Sequence, residues 1–292
     1  VFKVGLSLIS NCSKNFSRST LIEEETQHSF DKVDIFRIHS TGSKEHIKDN
    51  VIVEQPLTIM IDKVGSFTVM CTPSDIEALA VGFTFSEGMI NGIEEVLATY
   101  TKPELPNVIG VEIQDPTKAS VGRNLIIASS CGMCGARNIQ KMFQNIPACE
   151  STLKVTDHLL VEVMKKLRSL QPVFELTGGS HGAAIFNGTG EIIAFAEDIG
   201  RHNATDKAIG KCLLAGLERR SCGLALSGRV SLEIVTKAAR AGIELIAAVS
   251  AVSSYAVSAA EKWNITLCGF VRPDKMNVYT RPERIISHDK IS

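Results

Sequence analysis

The strongest constraint on the fold of this chain lies between residues 183 and 270, where short apolar runs alternate with helical patterns. Ala183–Phe186, Ile192–Phe195, Gly223–Leu226, Leu245–Val249 and Thr266–Phe270 are each too short for a helix and lack polar interruption. Ala204–Leu217, Leu232–Ala241 and Ser254–Trp263 carry apolar residues at helical spacing. Short buried strands alternating with helices of this length predict an α/β layer. An apolar fraction of 44% in 292 residues can supply its core.

The first half reads differently. Val51–Ile61 and Phe67–Met70 look like strands around the turn Lys63-Val64-Gly65-Ser66. Ser74 is the expected cap of a following helix, with Glu77 at the capping-box position, and Glu87-Gly88 is its expected end. Val108–Ile113 and Asn124–Ala128 are further strand candidates, and the second runs into Cys131-Gly132-Met133-Cys134-Gly135. Both thiols are therefore expected on a loop at a strand end. Thr156 is a plausible cap for a helix through Leu170. Residues 1–50 show no sustained period and read as a partly flexible extension. Pro147 and Pro172 bracket the expected junction between a smaller α+β portion, residues 51–150, and an α/β domain, residues 151–292.

A formal net charge of −1 gives no global field for nucleic acid or an anionic membrane surface. Leu245–Ala260 is uncharged but contains four serines and is shorter than the roughly 18 residues of a membrane span. The N-terminal run Val1–Ser10 lacks the basic start and cleavage site of a secretory signal. Eight cysteines are too sparse for a disulfide scaffold, so a cytoplasmic setting is expected. Cys12, Cys71, Cys149, Cys212, Cys222 and Cys268 lie apart and read as small core side chains.

Cys131 and Cys134 call for more. A pair at this spacing can share a metal, form a disulfide, or let one thiol resolve a sulfur adduct on the other. Gly132 and Gly135 remove bulk around both sulfurs, which suits attack by a large partner. No second short-spaced pair completes a zinc ribbon, and the His-x-Glu of zinc-dependent nucleobase deaminases is missing, so no resident metal is expected. The surroundings do not reproduce a thioredoxin domain, although thiol oxidoreductase chemistry stays open. No acidic residue lies between Ser129 and Lys141, and Arg137 and Lys141 favour a thiolate.

Polar groups cluster at the predicted strand ends. Thr177-Gly178-Gly179-Ser180-His181-Gly182 is a glycine-rich turn, and Glu197-Asp198-Ile199-Gly200-Arg201-His202-Asn203-Ala204-Thr205-Asp206-Lys207 packs seven ionisable or amide side chains into a strand-to-helix junction. The bland alternative for the latter is a solvated loop with Asn203 as a helix cap. Ser227-Gly228-Arg229 repeats the strand, small residue, arginine arrangement, and Gly269-Phe270-Val271-Arg272-Pro273-Asp274-Lys275 adds a ring and two cations. Such loops can stack on a base and pair with phosphate.

Together with Glu54-Gln55-Pro56-Leu57, Ala78–Phe83 and Ser86-Glu87-Gly88, these motifs resemble the formate dehydrogenase accessory sulfurtransferase family, FdhD, from about Val51 to Arg284. The resemblance implies a sulfurtransferase that accepts persulfide sulfur from a cysteine desulfurase. It passes that sulfur to the bis-guanine-dinucleotide molybdenum cofactor for formate dehydrogenase, and GDP would mimic the cofactor. It implies a cytidine-deaminase-like α/β fold for the second half, with homodimerisation open. By motif, Cys131 matches the persulfide cysteine and Cys134 the second loop thiol; Phe270, Val271, Arg272, Pro273, Asp274 and Lys275 match the cofactor-contacting segment. The main alternative is a cofactor-binding chaperone that transfers no sulfur. Roles for His181, Arg201, His202 and Arg229 stay open beyond a supply of cations near phosphate.

Overall fold

The computed structural model describes residues 28–118, 125–127 and 146–287. It opens with an antiparallel hairpin of β1 (Phe30–Ile38) and β2 (Lys44–Ile52), in which Phe30 faces Ile52 and Ile38 faces Lys44. Sequence reading placed no strand before Val51. Polar residues occupy both faces of the hairpin and Phe36 and Ile38 are exposed, so the alternation that marks a half-buried strand is missing. Its base rests on the second half, where Asn50 Nδ2 donates to the Leu176 carbonyl at 3.4 Å.

A five-stranded sheet follows, in the order β5 (Val96–Lys102), β6 (Leu105–Ile113), β3 (Gln55–Ile61), β4 (Gly65–Cys71), β7 (Leu125–Ile127). Leu57, Ile59 and Ile61 alternate with exposed or half-buried neighbours, as do Phe67, Val69 and Cys71, so one face of the β3–β4 hairpin is core. β7 runs parallel to β4 with Ile127 opposite Val69. Helix α1 (Ile76–Ser86) crosses this sheet and is buried almost throughout.

The helix ends where expected, but its start differs. Asp75, in the left-handed region at φ 51°, is the N-cap, and no side chain caps the first turn. Ser74 is not the cap, and Asp75 instead pairs with Lys211 at 2.7 Å. Glu77 does not return to the cap either; it accepts a hydrogen bond from Thr99 Oγ1 on β5.

In the second half, β8 (Val155–Thr156) leads into α2 (Asp157–Ser169), capped by Thr156 Oγ1, which accepts from Leu159 N at 3.1 Å. After α3 (Pro172–Thr177) come β9 (His181–Phe186), β10 (Ile192–Asp198), α4 (Arg201–Leu214), β11 (Gly223–Leu226), α5 (Leu232–Arg240), β12 (Leu245–Ala248), α6 (Ser254–Lys262), β13 (Thr266–Gly269) and β14 (Asn277–Thr280). The expected alternation of strand and helix is present. The strands form a six-membered sheet in the order β10-β9-β11-β12-β13-β14. Its centre, β11, β12 and β13, is parallel, while β9, β10 and β14 run antiparallel to their neighbours. β15 (Ile285–Ile286) pairs with β8.

One apolar cluster contains Leu57, Phe83 and Ile109 from the first half and Ile209, Val235 and Trp263 from the second. A second cluster under the other face of the six-stranded sheet joins Leu160, Val163 and Leu167 of α2 to Phe186, Ala247 and Cys268. Where α1 crosses α4, Gly82 lies against the Asp206 backbone and Gly210 against that of Ala78. No described helix is long and apolar enough to cross a membrane.

Candidate functional site at one edge of the mixed sheet

Strand direction gathers the chemistry-bearing segments on a single edge. The parallel strands β11 and β13 end there at Leu226 and Gly269, followed by Ser227-Gly228-Arg229 and Phe270–Lys275. β9 is antiparallel to β11, so its first residue, His181, lies on that edge, opposite Asp198 at the end of β10. Arg201 and His202 then begin α4. Ligand-binding groups collect at such strand ends because the loops there are free to vary on a rigid scaffold.

Ser227 is locked to β9 in both directions. Its amide donates to the Gly182 carbonyl at 3.0 Å, and its hydroxyl oxygen accepts from Gly182 N at 2.8 Å. Gly228 is buried beside the imidazole: a Cβ there would stand 3.2 Å from His181 Nδ1 and 3.4 Å from Arg201 Cβ. Burial, the Arg201 and Arg229 guanidinium groups lower the pKa of His181, against a smaller opposite effect of Asp198.

His202 is more extreme. Burial first, then Lys237, Arg201 and His181, push its pKa down to about 3. Its Nε2 stands 3.1 Å from Ser231 Oγ and 3.2 Å from Glu233 Oε2. The Glu233 contact has ion-pair length, but a neutral imidazole makes it a hydrogen bond, and burial also raises the pKa of Glu233.

Much of the long Glu197–Lys207 motif is internal support. Asp198 and Lys207 are fully buried and paired at 2.7 Å. Asp198 also accepts from Thr72 N at 3.1 Å, Gly200 N at 2.7 Å and Asn203 Nδ2 at 3.0 Å. Asn203 is not a cap: it sits inside α4, and its amide also donates to the Met70 carbonyl at 2.8 Å. Glu197 accepts from Val173 N, Phe174 N and Ser180 Oγ. The solvated-loop alternative fails because Glu197, Asp198, Asp206 and Lys207 are buried. Sequence reading missed the partners Met70 and Thr72, which lie more than a hundred residues away and carry no distinctive side-chain signal.

The Phe270–Lys275 segment is on the same edge. Phe270 has φ 52° and is 41% exposed, its amide donating to the Ser250 carbonyl at 3.1 Å. Val271 is buried, and Arg272, Pro273, Asp274 and Lys275 are exposed. The Arg272 guanidinium donates to the carbonyls of Val249 at 2.7 Å and Val271 at 2.9 Å, so part of its donor capacity braces its own loop.

Cys131 and Cys134 lie outside the described residues. The strand before them, β7, leaves beside β4, whose following residue, Thr72, is bonded to Asp198 and, through its hydroxyl, to the Ile199 amide. Cys71, Cys149, Cys212, Cys222 and Cys268 are all buried, as expected. Desolvation raises their thiol pKa values to about 12, 11, 12, 11 and 12 in that order. Cys12 is outside the described residues. Among the described residues no group of three or more His, Cys, Asp and Glu gathers as a metal site.

Residues 52–286 match the FdhD/NarQ family. Similar proteins include the sulfur carrier protein FdhD of Picrophilus torridus, 39% identical over 251 residues, covering 83% of this chain and 94% of that one. That of Anaeromyxobacter sp. strain K is 41% identical over 258 residues, covering 82% and 89%. A solved structure described as a formate dehydrogenase accessory protein, from Desulfotalea psychrophila, superposes with a TM-score of 0.71 at 25% identity over 88% of this chain and 99% of that one.

Proposed function

The chain belongs to the FdhD/NarQ family, and on that premise we propose that it is a sulfurtransferase that carries sulfur as a persulfide on Cys131. The sulfur comes from a cysteine desulfurase and goes to the bis-guanine-dinucleotide molybdenum cofactor, as a substrate, for use by formate dehydrogenase. The observation that carries this reading is the state of the other thiols. Five described cysteines are buried and held protonated, so none can act as the nucleophile. Cys12 precedes the family-matched span. Sulfur chemistry then falls to Cys131 and Cys134, flanked by glycines and followed by Arg137 and Lys141.

In the loading step the Cys131 thiolate attacks the outer sulfur of the donor's persulfide. A new S–S bond forms on Cys131 and the donor leaves as a thiolate. In delivery the Cys134 thiol attacks the inner sulfur of the Cys131 persulfide, the outer sulfur leaves as hydrosulfide for the cofactor, and a cellular thiol reductant reopens the resulting Cys131–Cys134 disulfide. The cofactor's guanine nucleotides are held at the sheet edge, where Phe270–Lys275, His181, Arg201 and Arg229 supply a ring and cations. The layering of this half is cytidine-deaminase-like in our reading, with the deaminase proton shuttle absent because the chain has no His-x-Glu. The setting is the cytoplasm.

Maturation of formate dehydrogenase by Cys131→Ala and Cys134→Ala variants tests the assignment. Cys131→Ala should abolish it. A Cys131→Ala protein that matures the enzyme as well as the parent would leave the chaperone reading, in which the cofactor is held and no sulfur moves.

A further inference from the structure

The six-stranded sheet ends at β10, which pairs with β9 alone, and among the described residues no strand lies beyond it. Sheet edges are commonly guarded by a lysine, a proline or a bulge. Here Ile192–Ala196 carry no charge and no proline, and the register shift between Ile192 and Ala194 leaves Ala194–Asp198 regular. The edge opens into a groove of about 1020 Å³, at the upper end of the roughly 300–1,000 Å³ of a ligand pocket. Helices wall it on both faces of the sheet. On the side of the first apolar cluster stand Ile76 of α1, Leu214 of α4 and, just beyond that helix, Leu217. On the other side stands Leu170 at the end of α2, with Val173 of α3. The charged groups in the groove are engaged, since Asp75 pairs with Lys211 and Glu77 accepts from Thr99. A slot between two helix layers, alongside an open strand edge, fits an extended chain with one apolar face.

We propose that the segment Phe2–Leu8 of this chain occupies the groove as a seventh strand on the open edge of β10. The chain itself leads there. Ser29 is buried, lines the groove and accepts at its carbonyl from Val53 N at 2.9 Å, so the residues before it depart from the groove's own wall. Phe2, Val4, Leu6 and Leu8 alternate with Lys3, Gly5 and Ser7, the period of a strand with one apolar face. Phe2–Leu8 and β10 are both seven residues long. The twenty residues between Leu8 and Ser29 extend to about 66 Å, against roughly 23 Å for the length of β10, so either strand direction is within reach. The apolar face meets Ile76, Leu214 and Leu217. Lys3, Gly5 and Ser7 face the end of α2, where Ser169 is exposed. Filling the slot covers backbone groups that would otherwise template pairing with another chain. The pairing stands whether or not Cys131 carries sulfur.

Hydrogen exchange of the full chain, read by mass spectrometry, tests the pairing. Peptides covering residues 2–8 and β10 should both be protected, the first by about tenfold or more over an unstructured chain. In Val4→Asp with Leu6→Asp, changes confined to the docking segment, protection of residues 2–8 should vanish and β10 should exchange faster, while β11 and β12 at the sheet centre stay as in the parent. Exchange of residues 2–8 at the rate of a free peptide in the parent would overturn the proposal. So would β10 protection that the double variant leaves unchanged. Protection of β10 that rises with protein concentration, with residues 2–8 unprotected, would give the edge to a second copy and equally overturn it.

Discussion

Lys207 Nζ stands 2.7 Å from Asp198 Oδ2, and neither side chain is exposed. The pair ties α4 to the end of β10, and Lys207 also donates to the Thr72 carbonyl at 2.9 Å, joining the two sheets. These two residues of the Glu197–Lys207 motif therefore hold the site's frame.

Removing one partner leaves a buried charge uncompensated. Lys207→Met should destabilise the protein by about 3–5 kcal/mol, and Lys207→Met with Asp198→Asn should recover part of that loss. Denaturant midpoints measure both. A single variant as stable as the parent would remove the pair from the frame.

The α1–α4 crossing depends on two glycines. A Cβ at Gly82 would overlap the carbonyl oxygen of Asp206, and one at Gly210 that of Ala78. Those neighbours are backbone and cannot turn aside. Gly82→Ala and Gly210→Ala should each cost about 1–3 kcal/mol or more by overpacking, despite the better helix propensity of alanine. Thermal unfolding will show it, and an upward shift in Tm for either variant would contradict the close approach.

His202 gives the fold a pH dependence of known sign. Its pKa falls from the ordinary 6.5 to about 3, so the folded state binds its proton less readily than the unfolded chain. Its contribution is complete above pH 6.5 and is lost as the pH falls toward 3, at roughly 1.4 kcal/mol per pH unit. Stability of the parent relative to His202→Gln should therefore decline below pH 6.5 and be level above it. Parallel stability curves for the two proteins across that range would refute the neutral, buried ring.

The second half was legible because its strands are short and wholly apolar. Gly223–Leu226 begins and ends as read, and Leu245–Val249 and Thr266–Phe270 each overrun by one residue. Boundaries failed where tertiary contacts replaced local rules. α4 starts at Arg201 rather than Ala204, because Asn203 finds partners in Met70 and Asp198 instead of capping. The β1–β2 hairpin was invisible because it buries too little to need alternation. At the site, the residue types of His181, Ser227 and Arg229 were visible as motifs. Their convergence was not, because it follows from antiparallel pairing of β9 with β11, which local sequence does not specify.

The central claim is that sulfur resides on Cys131. Mass spectrometry of the full chain after incubation with a cysteine desulfurase and cysteine, followed by peptide mapping, tests it most directly. One added sulfur atom should appear on the peptide carrying Cys131 and be removed by a thiol reductant, and Cys131→Ala should carry none. Undiminished sulfur loading in Cys131→Ala, or an unmodified parent beside a loaded desulfurase, would contradict the account.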